Sequence, residues 1–265
     1  MCKKNLLVLS VVLLMFTFNG FAQNTRISDH NEVGWYGFSG TFKLSEKWGM
    51  VSEYQWRRNH IITDWQQSLS RISGSYQIQP RLQFRVGYAW AKTFAYGDLP
   101  INRYGKSYNE HRAFEMVTLT DKLGIVSLSH RFMLEQRWIG RYTSGDLDKE
   151  DQFPFRNRFR YMFRLQMPLK GQWVVDKTPY LVFFNELMVN FGKNVPENVF
   201  DQNRLGLLFG YRVNSNFSLE AGYISQILQF GREIDGNNVF QYNNGVMVNT
   251  LFSFDLSKKS DKVVE

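Results

Sequence analysis

The run Phe155-Arg156-Asn157-Arg158-Phe159-Arg160-Tyr161-Met162-Phe163-Arg164-Leu165-Gln166-Met167 splits by parity. Its odd positions are Phe155, Asn157, Phe159, Tyr161, Phe163, Leu165 and Met167, and its even positions include Arg156, Arg158, Arg160, Arg164 and Gln166. On a helix these two sets would be scattered around the circumference. On a strand successive side chains point to opposite sides, so each set falls on one face. The segment therefore reads as a strand with one apolar face and one arginine-rich face.

The same split recurs outward from this run. In residues 82–90, Leu82, Phe84, Val86, Tyr88 and Trp90 oppose Gln83, Arg85, Gly87 and Ala89. In residues 126–138, Val126, Leu128, Phe132, Leu134 and Trp138 oppose Ser127, Ser129, Arg131, Glu135 and Arg137, with His130 and Gln136 interrupting the apolar face. Alternation of this kind predicts eleven strands, at 33–44, 48–58, 66–78, 82–91, 110–120, 125–138, 155–167, 179–191, 202–213, 217–229 and 241–256. Their connections alternate in length. Short turns follow the first, third, fifth and ninth strands, a somewhat longer one follows the seventh, and polar loops such as 92–109 and 140–154 follow the others. Outer-membrane barrels have this asymmetry of short periplasmic turns and long external loops. A strand of about ten residues rising about 3.3 Å each and tilted about 45° spans about 24 Å, the height of the apolar band such barrels present to lipid.

Composition separates this reading from a soluble barrel with the apolar face inward. The 265 residues are 43% hydrophobic and 16% aromatic, with 23 Phe, 13 Tyr and 7 Trp, which excludes disorder. The mean hydropathy is −0.36, and beyond the N-terminal residues no apolar run approaches the ~20 residues of a membrane-spanning helix. Aromatic residues collect toward strand ends at Trp35, Tyr36, Trp48, Trp56, Tyr88, Trp90, Trp138, Tyr211 and Tyr223, as interfacial girdles require. Lys is almost confined to turns and loops, whereas Arg57, Arg71, Arg85, Arg131, Arg137, Arg156, Arg158, Arg160, Arg164, Arg204 and Arg212 fall on polar strand faces. A solvated face would use Lys freely. Arginine suits an enclosed interior, where its planar fork holds carboxylates bidentately. The expected fold is all-β: a single antiparallel up-and-down transmembrane β-barrel. Because bacterial barrels of one chain have an even number of strands, twelve are expected, the extra one from residues 24–31, with ten as the alternative.

The N-terminus points to export. Met1-Cys2-Lys3-Lys4 is basic, Leu6 to Phe18 is nearly all apolar, and Asn19-Gly20-Phe21-Ala22 ends in a small residue. Residues 1–22 are expected to be a secretory signal peptide, 23–256 the barrel and 257–265 a charged tail. Removing Cys2, Lys3 and Lys4 leaves a chain without cysteine and lowers the formal charge from +8 to +6. No disulfide would then stabilise the exported protein.

Three elements carry a family resemblance: Asn109-Glu110-His111-Arg112-Ala113-Phe114-Glu115; Leu128-Ser129-His130-Arg131 with Leu134-Glu135-Gln136-Arg137; and Asp201-Gln202-Asn203-Arg204 leading into Gly210-Tyr211. Through them the chain resembles a family of Gram-negative outer-membrane proteins known only as a domain of unknown function, number 2490. The resemblance covers nearly all of the chain after residue 22 and implies an outer-membrane barrel. It implies no activity. The last strand, with Val246, Val248, Phe252, Phe254 and Leu256, is close to the C-terminal signature read by the outer-membrane assembly machinery.

Chemistry is sparse. A Ser-His hydrolase needs both side chains on one strand face. Of the four His, only His30 has a serine two residues away, at Ser28, while Ser129 and His130 are adjacent and so face opposite sides. Asp146, Asp148, Glu150 and Asp151 crowd one external loop and read as a solvated acidic loop, with a surface cation as the alternative. No cofactor, metal or nucleotide motif is present, and arginines facing the inside of an exported barrel argue against nucleic acid. The residues of interest are instead an interior network of Glu53, Arg85, Glu115, Arg131, Glu135, Arg137, Arg156, Arg158, Arg160, Arg164, Glu186, Arg204, Arg212 and Glu220. Two functions follow: a structural or interaction barrel whose Arg and Glu fill the interior, or a small channel preferring an anionic solute. A lipid-modifying hydrolase comes third. The expected partners are outer-membrane lipid, lipopolysaccharide and, during insertion, the assembly machinery.

Overall fold

A computed structural model describes residues 26–257, so the expected signal peptide and residues 258–265 of the tail lie outside the described residues. Eleven strands form: β1 (Arg26–Lys43), β2 (Trp48–Asn59), β3 (Asp64–Gln79), β4 (Leu82–Thr93), β5 (Tyr108–Leu123), β6 (Val126–Ile139), β7 (Phe155–Pro168), β8 (Thr178–Phe191), β9 (Phe200–Asn214), β10 (Phe217–Ile234) and β11 (Asn237–Asp255). Each pairs antiparallel with its neighbours in sequence, and β1 pairs with β11 to close a barrel.

The expectation of twelve strands, or ten, is corrected to eleven. Residues 26–31 make no separate strand; they lengthen β1, which runs beside β11 from Arg26↔Asn238 to Lys43↔Asp255. Every hairpin reverses the chain, so an odd count leaves the first and last strands running in the same direction. The closing ladder is accordingly parallel, a pairing slightly weaker per residue than the antiparallel one. Length compensates, since the ladder takes in all 18 residues of β1. At Gly245, opposite Val33, a Cβ would overlap the Val33 carbonyl oxygen, so the seam requires glycine there.

One mouth is bounded by the two-residue links Pro80-Arg81, Gly124-Ile125 and Ser215-Asn216, the four-residue link 44–47 and the longer β7–β8 connection 169–177. At the other mouth the loops 94–107 and 140–154 fold over the rim. They are tied together by Lys106 Nζ, which donates to the Leu147 carbonyl at 2.7 Å. This mouth is not uniformly long-looped: β10 and β11 meet at the tight turn Asp235-Gly236, both in the left-handed region, so the segment expected as a loop is strand.

The interior is layered. One buried apolar cluster runs from Tyr180, Val182 and Phe184 of β8 through Leu208 and Ile224 to Val33 and Trp35 of β1, and Val174 from the β7–β8 connection joins it on the short-turn side. Gly206 leaves room on β9 for the Phe184 ring. Phe114, Met116 and Met133 form a second cluster. A third, Leu228, Phe230 and Val239 with Leu99 and Ile101 from the loop 94–107, lies near the long-loop mouth, and polar layers lie between the clusters.

Candidate functional site

Parity in β7 places its side chains as expected. Arg158 is 1% exposed inside the barrel, while its neighbour Phe159 is 42% exposed outside. The hydrogen bonds give independent proof of what is inside, because they join strands that are not neighbours. Arg131 of β6 donates to Glu186 of β8 at 2.7 Å, Arg158 of β7 to Asp201 of β9 at 2.7 Å, and Arg164 of β7 to Glu220 of β10 at 2.6 Å. Only the interior offers such paths.

These contacts form a chain of charges. Glu110 accepts both arms of Arg112 at 2.8 Å and also pairs with Arg137. Arg137 approaches Asp201 at 3.8 Å, and Asp201 binds Arg158. Glu135 accepts from Arg158 Nε at 2.6 Å and from Arg160 Nη1 at 2.8 Å. Arg160 continues to Glu186 at 2.7 Å, which Arg131 shares. Two smaller groups lie apart. Glu53 binds Arg71 at 2.8 Å with Arg85 at 3.9 Å, and Glu220 takes Arg164 and the Tyr180 hydroxyl. Breaking a buried pair of this kind by removing one partner costs about 3–5 kcal/mol, because the other charge is left uncompensated.

Of the residues predicted for this network, the structure joins Glu53, Arg85, Arg131, Glu135, Arg137, Arg158, Arg160, Arg164, Glu186 and Glu220 to carboxylate–guanidinium pairs, and Arg204 more loosely, 3.6 Å from Glu186. Arg212 sits at the short-turn mouth, 3.6 Å from Asp176. Arg156 has the expected inward direction, but among the described residues it has no carboxylate partner. Glu115 is a correction. It lies on the outer face, where it accepts from Gln136 at 3.0 Å, because β5 turns Glu110, Arg112, Phe114 and Met116 inward. The two-residue turn Gly124-Ile125 fixes that parity by setting Phe114 opposite Glu135.

Four network residues stand outside the predicted set: Arg71, which the sequence placed on a polar strand face but not in the network, and Glu110, Arg112 and Asp201. Glu110 and Arg112 follow from the same parity, and their Glu-x-Arg spacing was the available signal. Asp201 is turned inward by a β-bulge: Met188 faces Gln202 and Val189 faces Phe200, so Asp201 is the extra residue. Simple alternation cannot place such a residue.

A further correction concerns Trp35, expected at a rim. It points inside, with Arg57 4.1 Å and Arg204 5.0 Å over its ring. Other rings do collect at the rims of the outer surface: Trp56, Trp65 and Phe94 in contact at the long-loop side, and Trp48 with Tyr76 and Phe42 with Phe254 at the short-turn side.

Above the network, toward the long loops, a cavity of about 490 Å³ opens. Tyr96 reaches into it from the loop 94–107. Its hydroxyl donates to Gln241 at 2.5 Å and accepts from Asn243 at 3.1 Å, and burial pushes its pKa up to about 12, so it stays a neutral partner. Arg232 holds the same loop by donating to the Pro100 carbonyl at 2.7 Å. In the acidic loop, Glu150 accepts from the Asn109 backbone and side chain. Asp151 takes the Thr143 hydroxyl, which keeps its carboxyl below the usual range.

The family model described as protein of unknown function (DUF2490) matches residues 33–237. The chain belongs to the DUF2490 family. The DUF2490 span contains every ion pair of the interior network and both long loops; among the described strands it leaves outside the start of β1 and the residues of β11 beyond Asn237. No curated protein and no solved structure matches this DUF2490 chain.

Proposed function

We propose that the protein is an outer-membrane barrel closed by its own side chains, serving a structural or interaction role in the membrane rather than conducting solute. The observation that carries the reading is its inverted polarity. Arg158 and Glu135 are enclosed while Phe132, Phe159, Leu207, Phe209 and Tyr223 stand exposed on the outer wall. Water would not stabilise such a surface, whereas lipid would. Turning the arginines of β7 outward would cost about 2–4 kcal/mol each at the bilayer midplane. Rings at both rims supply the interfacial girdles, and the exported N-terminus read from residues 1–22 supplies the route.

The partners on this reading are lipid along the outer band, lipopolysaccharide at the long-loop side and the assembly machinery during insertion. The apolar cluster on the short-turn side argues against the anion-channel alternative, since the interior there is packed with Tyr180, Val182, Phe184 and Leu208. A hydrolase finds no support in the serine–histidine geometry. Ser129 faces inward and His130 outward toward Tyr161, while His30 stacks on Tyr242 at 5.0 Å on the outer wall. Purified protein folded in detergent and added to planar bilayers is expected to insert without discrete conductance steps. Reproducible steps would overturn the closed reading. A folded monomer in buffer without amphiphile would overturn the membrane reading.

A further inference from the structure

The cavity at the long-loop mouth is lined by nine arginines and only two carboxylates, Glu110 and Asp201. Those two are already committed, Glu110 to Arg112 and Arg137, Asp201 to Arg158. Arg57 is left with Gln55 and Gln67 and the face of Trp35. Arg204 has Gln202 at 2.7 Å and only a distant edge of Glu186. Arg156 has no ion pair among the described residues. Buried guanidinium without anionic compensation is strongly unfavourable, so this arrangement calls for a counter-charge.

A second observation points the same way. Of the buried side-chain polar atoms lacking a hydrogen-bond partner among the described residues, four belong to residues lining this cavity: Arg156 Nε, Arg204 Nε, Gln66 Nε2 and Asn198 Oδ1. Three of the four are donors. The Gln66 amide has a fixed sense, because Trp35 Nε1 donates to its Oε1 at 2.7 Å and leaves Nε2 as the free end. Unfilled donors beside unmatched cations describe a site for an acceptor-rich anion. A wall Cβ would intrude at Gly231, 3.1 Å from Asn198 Oδ1 and 3.5 Å from Arg156 Nη1, so the lining is already tight beside these two residues.

We propose that this cavity binds a phosphoryl group, with Arg156 and Arg204 as its principal ligands and Arg57 as a supporting charge. Forked guanidinium donors match tetrahedral oxyanions of more than one charge, and a space of about 490 Å³ suits a small molecule or a headgroup, not a polymer. The phosphoryl group has two available sources: a soluble phosphorylated compound entering from the long-loop side, or the phosphate of a neighbouring lipid headgroup reaching over the rim. The inference rests on the closed-barrel reading only in requiring an enclosed site with one mouth.

Titration calorimetry on the full chain folded in neutral detergent tests it, with inorganic pyrophosphate as one probe and lipopolysaccharide micelles as the other. Saturable pyrophosphate binding, weakened at least about tenfold in Arg156→Gln and by added salt, is expected if the source is soluble. Binding of lipopolysaccharide alone, with the same dependence on Arg156, assigns the headgroup. Arg164→Gln, at the opposite end of the interior, should leave either affinity unchanged. Arg156→Lys separates lost geometry from lost charge and should bind between the two. Absence of saturable binding by both probes, in protein whose circular dichroism retains the barrel, overturns the proposal. So does equal weakening by Arg156→Gln and Arg164→Gln. Conductance in bilayers is read separately, so an open pore would refute the closed barrel without deciding this site.

Discussion

Replacing Glu135 should unfold the barrel more readily than replacing any carboxylate on the outer wall, and Glu115 provides the matched control. Glu135 is 0% exposed and receives Arg158 Nε at 2.6 Å and Arg160 Nη1 at 2.8 Å, with Arg112 at 3.9 Å. Each hydrogen bond to a charged group contributes about 1.5–3 kcal/mol. Both arginines keep a second carboxylate, Asp201 for Arg158 and Glu186 for Arg160, so the loss is cushioned. The expected cost is about 3–5 kcal/mol, with Glu135→Leu at the upper end and Glu135→Gln, which retains one acceptor oxygen, at the lower. Against a total stability of about 5–15 kcal/mol that is a large fraction. Glu115 makes one contact, with Gln136 at 3.0 Å on the outer face, so Glu115→Gln should cost under about 1 kcal/mol. Reversible urea unfolding in lipid vesicles, followed by tryptophan fluorescence, measures both. Equal costs for the two substitutions, or a cost below about 1 kcal/mol for Glu135→Leu, would refute the assignment of faces in β5 and β6.

Phe159→Arg puts a guanidinium on the outer band and should cost about 2–4 kcal/mol in vesicles, measured by the same unfolding assay. Gly245→Ala forces a methyl into the Val33 carbonyl across the β1–β11 seam. It should lower stability by at least about 1–3 kcal/mol and raise amide exchange in β1 and β11 above that in β6 and β7. Phe184→Ala, in the interior apolar cluster, should cost about 3–5 kcal/mol, and current fluctuations in planar bilayers should appear in the variant if that cluster closes the interior.

Where the sequence could be read, one face was apolar and the other arginine-rich, as in β7. Parity there needed no partner strand. In β8 the inward Tyr180, Val182 and Phe184 and the outward Leu181, Phe183 and Leu187 are equally apolar, so alternation carried no direction and the interior cluster stayed hidden. In β5 the inward face mixes Glu110 and Arg112 with Phe114 and Met116, and the outward face carries Glu115. The tight turn to β6 settles which is which, and turn geometry is a weaker signal than composition. Asp201 depends on a bulge, a property of pairing between strands. The odd strand count is a closure property: it lies in the parallel contact of β1 with β11, more than 200 residues apart in the chain, and no local window contains it.

The most direct measurement is the position of the β7 face relative to lipid. Cys2 is the only cysteine of the chain, and a variant with Cys2→Ser allows single cysteines at Phe159, Leu207 and, facing inward, Met133 to be labelled with a small fluorophore. In vesicles containing brominated lipid, labels at 159 and 207 should be quenched strongly by the lipid and weakly by aqueous iodide, while a label at 133 should escape lipid quenching. Labels at 159 and 207 that iodide reaches freely and brominated lipid does not would contradict a barrel whose apolar outer face meets the membrane.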